Sequence, residues 1–148
     1  MFRMVSHSVA QTEAAGEVLG KRLGEGGVIA FFGGMGMGKT VLTRGIVKGL
    51  GSSDAVSSPT FAIVNEYTGK NGPIRHFDMY RVTSPDDLES TGYYDFLKEK
   101  GNLIIEWSEN IESELPDNAI AVTLEKGETE NDRIITVGLA GQRKGELR

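Results

Sequence analysis

Eight consecutive residues, Gly33-Gly34-Met35-Gly36-Met37-Gly38-Lys39-Thr40, satisfy the spacing G-x-x-x-x-G-K-[ST] of a phosphate-binding P-loop. Each residue type has a physical reason to be there. Glycines tolerate positive φ and leave room for backbone N–H groups to face phosphate oxygens. A helix beginning near Gly38 adds unpaired N–H donors and the positive end of its dipole. Lys39 is then expected to reach the β- and γ-phosphates of a nucleotide, and the Thr40 hydroxyl to bind Mg²⁺.

A P-loop holds phosphates but does not by itself specify what happens to them. Carboxylates near the metal and a group to position water are also needed. Glu106 closes the apolar run Leu103-Ile104-Ile105, the Walker B arrangement of a buried strand ending in an acid. Glu replaces the more usual Asp, so its longer side chain would act on the metal directly or through a metal-bound water; the alternative is a solvated glutamate at a strand end. Asp78 lies in Arg75-His76-Phe77-Asp78-Met79-Tyr80-Arg81, where strand alternation puts Ile74, His76, Asp78 and Tyr80 on one face. Such an acid suits a water or a nucleotide, and equally an exposed ion pair with Arg75 or Arg81. His76 reads as a structural histidine, having no second histidine nearby for a metal pair. Ser58-Pro59-Thr60 is either an ordinary turn or a switch segment that senses a γ-phosphate. Trp107, the only tryptophan, reads first as a core anchor.

The elements that must position these residues follow from local pattern. Val28-Ile29-Ala30-Phe31-Phe32 suits a buried strand before the loop, and the apolar residues from Val41 to Leu50 suit a helix after it. Phe2 to Val5 reads as a first strand. Thr12 is expected to cap a helix running to about Leu23, with Ala15, Val18, Leu19 and Leu23 on one face. Phe61–Tyr67 and Ile74–Tyr80 flank the turn formers Gly69-Lys70-Asn71-Gly72 as a hairpin. Ser84-Pro85 starts a helix, with Asp86 and Asp87 complementing its dipole. Ala119–Leu124 and Arg133–Leu139 are further strands, and Gln142–Arg148 is expected to be a loose tail. The fold class is therefore α/β: a P-loop NTPase-like layered sheet flanked by helices, with mixed parallel and antiparallel strands, forming one domain over residues 1–148.

Composition narrows the function classes. A net charge of −5 argues against a dominant electrostatic grip on nucleic acid by this chain alone. The absence of cysteine excludes disulfides and thiolate metal sites. No run approaches a membrane span or a secretory signal, and a cytoplasmic setting is expected.

Taken together, Gly33 to Thr40, Ser58-Pro59-Thr60-Phe61, His76-Phe77-Asp78-Met79-Tyr80-Arg81 and Ile105-Glu106-Trp107 resemble the TsaE family in order and spacing, over about residues 8 to 139. That resemblance implies an ATPase component of tRNA threonylcarbamoyladenosine synthesis, working with the TsaB and TsaD proteins and meeting tRNA only through that complex. It implies that Gly34, Met35, Gly36, Met37, Gly38, Lys39 and Thr40, with Val41 following, hold ATP. Thr40 and Glu106 would serve Mg²⁺, and Lys39, Asp78 and Glu106 would form the catalytic set. Thr60 would be the switch-like threonine, Trp107 would lie close to the nucleotide, and Thr12 and Arg133 would lie near the base and ribose. Gly34, Met35 and Met37 depart from the family's usual loop residues, which bears on loop stiffness more than on backbone phosphate contacts. A small-molecule kinase shares the P-loop, but no arginine-rich lid is evident between Asp86 and Trp107. A nucleotide-gated binding module with negligible turnover is the third reading. No Asn-Lys-x-Asp guanine-reading motif occurs, so ATP is favoured over GTP.

Overall fold

A computed structural model describes residues 2–33, 38–57 and 63–146. The expectations placed on Gly34, Met35, Gly36 and Met37, and on Ser58-Pro59-Thr60, lie outside the described residues. The elements in chain order are β1 (Phe2–Ser6), α1 (Val9–Arg22), β2 (Val28–Phe32), α2 (Lys39–Gly49), β3 (Val64–Gly69), β4 (Gly72–Asp78), α3 (Pro85–Ser90), α4 (Tyr93–Leu97), β5 (Asn102–Glu106), β6 (Ile120–Lys126), β7 (Arg133–Leu139) and α5 (Ala140–Glu146), with a 3-10 segment at Ser108–Glu114 between β5 and β6.

The strands form one sheet in the order β1-β7-β6-β2-β5-β4-β3. β6, β2, β5 and β4 run parallel, while β1, β7 and β3 join antiparallel at the two sides. All five residues of β2 are buried, because helices cover both faces of its parallel neighbourhood. Its alternation divides the core. Ile29 and Phe31 pack with Leu42, Ile46, Leu19 and Ile104 under α1 and α2. Val28, Ala30 and Phe32 pack with Phe77, Leu88, Tyr93 and Ile105 on the opposite face.

The contact between α1 and α2 is made by glycine. A Cβ on Gly16 would fall 2.2 Å from the Leu42 carbonyl oxygen, and one on Gly20 2.2 Å from that of Ile46. In the other direction, a Cβ on Gly45 would fall 2.0 Å from the Glu13 carbonyl oxygen, and one on Gly49 2.3 Å from that of Glu17. Two Gly-x-x-x-Gly pairs therefore interlock, backbone against backbone, in the small-residue manner better known from membrane helices. The seam corrects the expected apolar face of α1: Thr12, Ala15, Gly16, Leu19 and Gly20 are buried, whereas Val18 is 51% exposed.

Two further expectations are corrected. Ser8, not Thr12, caps α1: it is extended and its hydroxyl accepts from the Gln11 amide. The chain leaves β1 at Ser6 and turns into the helix at once, which puts Thr12 inside the helix rather than before it. The tail is not loose from Gln142. α5 continues to Glu146, anchored by Arg143, whose Nε donates to Glu112 at 2.7 Å and whose guanidinium sits 4.0 Å from the Phe32 ring centroid. Among the described residues, no helix is long and apolar enough to cross a membrane.

Candidate functional site

The parallel strands β2, β5 and β4 all end at one edge of the sheet, and that edge is where α/β proteins of this kind hold ligands. β2 delivers Gly33 there. Across the loop, Gly38 takes φ +94°, a left-handed conformation that a side chain would strain. It opens α2 with no side-chain cap of its own, so among the described residues no capping side chain competes for the helix's first-turn N–H groups.

Lys39, the first residue of α2, is 6% exposed. Its Nζ donates to the Gly33 carbonyl at 2.8 Å and lies 5.3 Å from the Trp107 ring centroid. Among the described residues it has no carboxylate partner. A buried ammonium that meets, among the described residues, one carbonyl and one ring face is suited to an anion. Thr40 is exposed, the next residue round the same helix start, about 100° further on.

Asp78 and Glu106 are the last residues of β4 and β5 and are direct register partners, so their side chains leave the sheet on the same face about 4.8 Å apart at the backbone. Glu106 is not a solvated strand-end acid: its side chain is only 14% exposed and its Oε2 lies 2.6 Å from His76 Nε2. Asp78 Oδ1 accepts from the Tyr80 amide at 2.9 Å. Among the described residues Asp78 makes no ion pair. Arg75 is engaged with Glu66 and Glu99 and stacks 4.1 Å from the Phe96 centroid, which removes one of its two expected partners.

Trp107 stands beside Lys39 as well as against the core. It alone among the described non-glycine residues has positive φ, at +59°, a left-handed conformation that costs about 1–2 kcal/mol. The turn swings its indole back toward the sheet edge, against Tyr80 with ring centroids 4.9 Å apart. Asn110 Nδ2 donates to the carbonyls of Met79 and Tyr80, tying the ends of β4 and β5 together.

Arg133 begins β7 with its Nε 3.8 Å from where a Gly38 Cβ would lie, so it flanks the start of α2. Its Nη1 donates to the Glu130 and Asp132 carbonyls. Thr12 is 3% exposed, with its hydroxyl 2.6 Å from that of Ser6. Val41 is half-buried in the first turn of α2.

Two participants at this edge were not legible in the sequence. Glu109 Oε2 accepts from the Gly33 amide at 3.0 Å; its only sequence signal is its place three residues after Glu106, near the head of a 3-10 segment. His76 is 1% exposed and bridges Glu106 to the Tyr67 hydroxyl, 3.2 Å from Nδ1. A groove of about 590 Å³ lies elsewhere, lined by apolar residues such as Phe2, Met4, Val18 and Ile135, and includes none of these chemical groups.

A mixed α/β sheet flanked by helices, with the G-x-x-x-x-G-K-[ST] sequence lying between a central strand and the next helix, gives the chain a P-loop NTPase-like fold. Residues 6–135 match the family model described as threonylcarbamoyl adenosine biosynthesis protein TsaE. The tRNA threonylcarbamoyladenosine biosynthesis protein TsaE of Treponema pallidum is 35% identical over 83% of this chain and 90% of its own. The protein of that name from Bacillus subtilis is 32% identical over 90% of this chain and 82% of its own. The crystal structure of Bacillus subtilis YdiB superposes with a TM-score of 0.73 at 26% identity, covering 99% of this chain and 90% of that one. The chain belongs to the TsaE family, which is involved in tRNA threonylcarbamoyladenosine biosynthesis.

Proposed function

We propose that the protein is a Mg²⁺-dependent ATPase that drives or resets a complex with the TsaB and TsaD proteins during threonylcarbamoyladenosine modification of tRNA in the cytoplasm. The observation that carries the reading is the buried Lys39 ammonium, free of any carboxylate among the described residues, at an uncapped helix start. Phosphates of ATP satisfy both needs at once: Lys39 and the first-turn amides of α2 bind and orient them. A net charge of −5 agrees with a subunit that reaches tRNA through its partners.

The donor set fits Mg²⁺. Among the described residues there is no cluster of three His, Asp or Glu side chains able to cage a metal, and Mg²⁺ bound beside phosphates needs only one or two protein oxygens. Thr40 and Glu106 would hold it. When bound, the ion neutralises charge on the phosphate oxygens. Asp78, beside Glu106 at the strand ends, orients the attacking water. Trp107 packs against the Lys39 side of the site and limits its exposure to solvent.

Hydrolysis is measured by phosphate release from ATP, alone and with the TsaB and TsaD proteins, and complex formation by pull-down with ATP, ADP or no nucleotide. Weak turnover alone and stimulation in the complex are expected. Full activity without partners, with the γ-phosphate delivered to a small acceptor, would make the protein a kinase instead. Nucleotide-dependent pull-down with no hydrolysis above background would make it a binding module.

A further inference from the structure

His76 has a polar partner on each ring nitrogen and almost no contact with solvent. Nε2 meets Glu106 Oε2 at 2.6 Å, and Nδ1 meets the Tyr67 hydroxyl at 3.2 Å. Tyr67, itself 5% exposed, also donates to the Ser57 carbonyl at 3.1 Å. Asn65 Nδ2 donates to that carbonyl at 3.1 Å, so Ser57 keeps a donor when the single Tyr67 proton turns to His76. A line of hydrogen bonds thus runs from the end of β5, across β4 and β3, to the backbone residue that precedes Ser58-Pro59-Thr60.

The line has a definite mechanical effect. A glutamate side chain has enough rotamer freedom to cost about 1.5–2 kcal/mol when fixed. Here His76 holds Oε2, and among the described residues no donor is recorded for Oε1. The imidazole cannot turn over without breaking both of its contacts, because Tyr67 occupies the nitrogen that Glu106 does not. Register gives the same geometry: His76 lies two residues before Asp78 on β4 and is paired with Ile104, two before Glu106 on β5.

Building on the ATPase reading, we propose that His76 is a positioning residue for the Glu106 carboxylate, locked in orientation by Tyr67, which ties it to the Ser57 backbone. The bridge keeps one carboxylate oxygen aimed at the strand-end site before any cation arrives. Partners behind a metal-binding side chain commonly govern metal affinity by about 10–100-fold.

The test titrates Mg²⁺ at fixed ATP, and separately titrates ATP in EDTA, reading Trp107 fluorescence in wild type, His76→Ala, His76→Gln and Tyr67→Phe. His76→Ala should raise the half-saturating Mg²⁺ concentration about 10–100-fold while leaving ATP affinity in EDTA unchanged. Tyr67→Phe removes one neutral hydrogen-bonding group and should raise it roughly 2–10-fold. His76→Gln, whose amide keeps a donor toward Glu106, should restore most of what alanine loses. Wild-type Mg²⁺ dependence in His76→Ala overturns the proposal, as does a glutamine variant no better than alanine. If alanine does not fold, unchanged Mg²⁺ dependence in Tyr67→Phe overturns it. A wild-type protein with no Mg²⁺-dependent ATP binding refutes the ATPase reading itself, and this inference with it, a result distinct from variants that merely match a binding-competent wild type.

Discussion

Gly45→Ala should destabilise the protein by about 2 kcal/mol, even though alanine is the better helix former. A Cβ at Gly45 falls 2.0 Å from the Glu13 carbonyl oxygen and 2.9 Å from the Glu17 amide nitrogen. Both are backbone atoms of α1, so no side chain can swing aside to make room. Restoring a carbon–oxygen separation of about 3.3 Å requires the helices to part by roughly 1.3 Å. A gap of about 0.5–1 Å already forfeits a quarter to a half of each dispersion contact, and Ala15, Leu19, Leu42 and Ile46 share the seam. With nothing flexible to yield, the overpacking cost belongs at the upper end of its usual range, about 3 kcal/mol. Helix propensity returns about 1 kcal/mol. For a chain of this size the net loss lowers the melting temperature by roughly 6 °C. Thermal and urea unfolding followed by circular dichroism measure it. Gly24→Ala, with no atom within 4 Å of the new Cβ, is the control and should change stability by less than about 0.5 kcal/mol. Because Lys39 and Thr40 open α2, the shifted helix should also bind ATP less tightly. A Gly45→Ala protein that melts at or above the wild-type temperature would refute the packing argument.

Asp78→Ala should retain ATP binding and lower hydrolysis in the assembled complex by at least about 100-fold, read as phosphate release; normal turnover would remove Asp78 from the catalytic set. Asp132 is held below its ordinary pKa of 3.8, first by the hydrogen bond with His7 and then by Thr129. A lowered carboxyl stabilises the fold fully above that ordinary value and loses its contribution as pH falls through the folded-state pKa. The melting-temperature gap between wild type and Asp132→Asn should therefore hold steady between about pH 6 and 5 and close below about pH 4; a gap independent of pH would contradict it. Arg143→Ala removes both the Phe32 stacking and the Glu112 pair, worth about 1–2 kcal/mol together. Hydrogen exchange in α5 should accelerate while exchange in β2 is unchanged.

The sequence made the main frame legible because strong local signals and tertiary need coincide there. β2, α2, the β3–β4 hairpin, the Ser84-capped α3 and β7 follow from buried runs, turn formers and caps. Glu106 is legible as the acid closing an apolar strand, and its pairing with Asp78 needs only the register of two parallel strands. What escaped depends on distant partners. Gly16, Gly20, Gly45 and Gly49 look like weak points in two helices until the helices are placed face to face. His76 looks like an isolated strand histidine because Tyr67 lies across a hairpin and Glu106 thirty residues away. Thr12 has the residue type of a cap, but the chain turns from β1 straight into the helix and the cap falls on Ser8. The last turn looks polar and loose because Arg143 finds its two partners on β2 and the 3-10 segment.

The strand order also constrains the birth of the protein on the ribosome. β1 emerges well before its sheet partner β7, which is synthesised about 130 residues later, a wait of roughly 6–26 s at ordinary elongation rates. β2 likewise waits for both β5 and β6. The α1–α2 glycine seam is local in sequence and can close early, whereas the sheet cannot assemble until most of the chain is out. Until β7 appears, Phe2, Met4 and Val5 belong to a strand without its sheet partner, and the arrival of β7, rather than any early domain, is the event that completes the sheet.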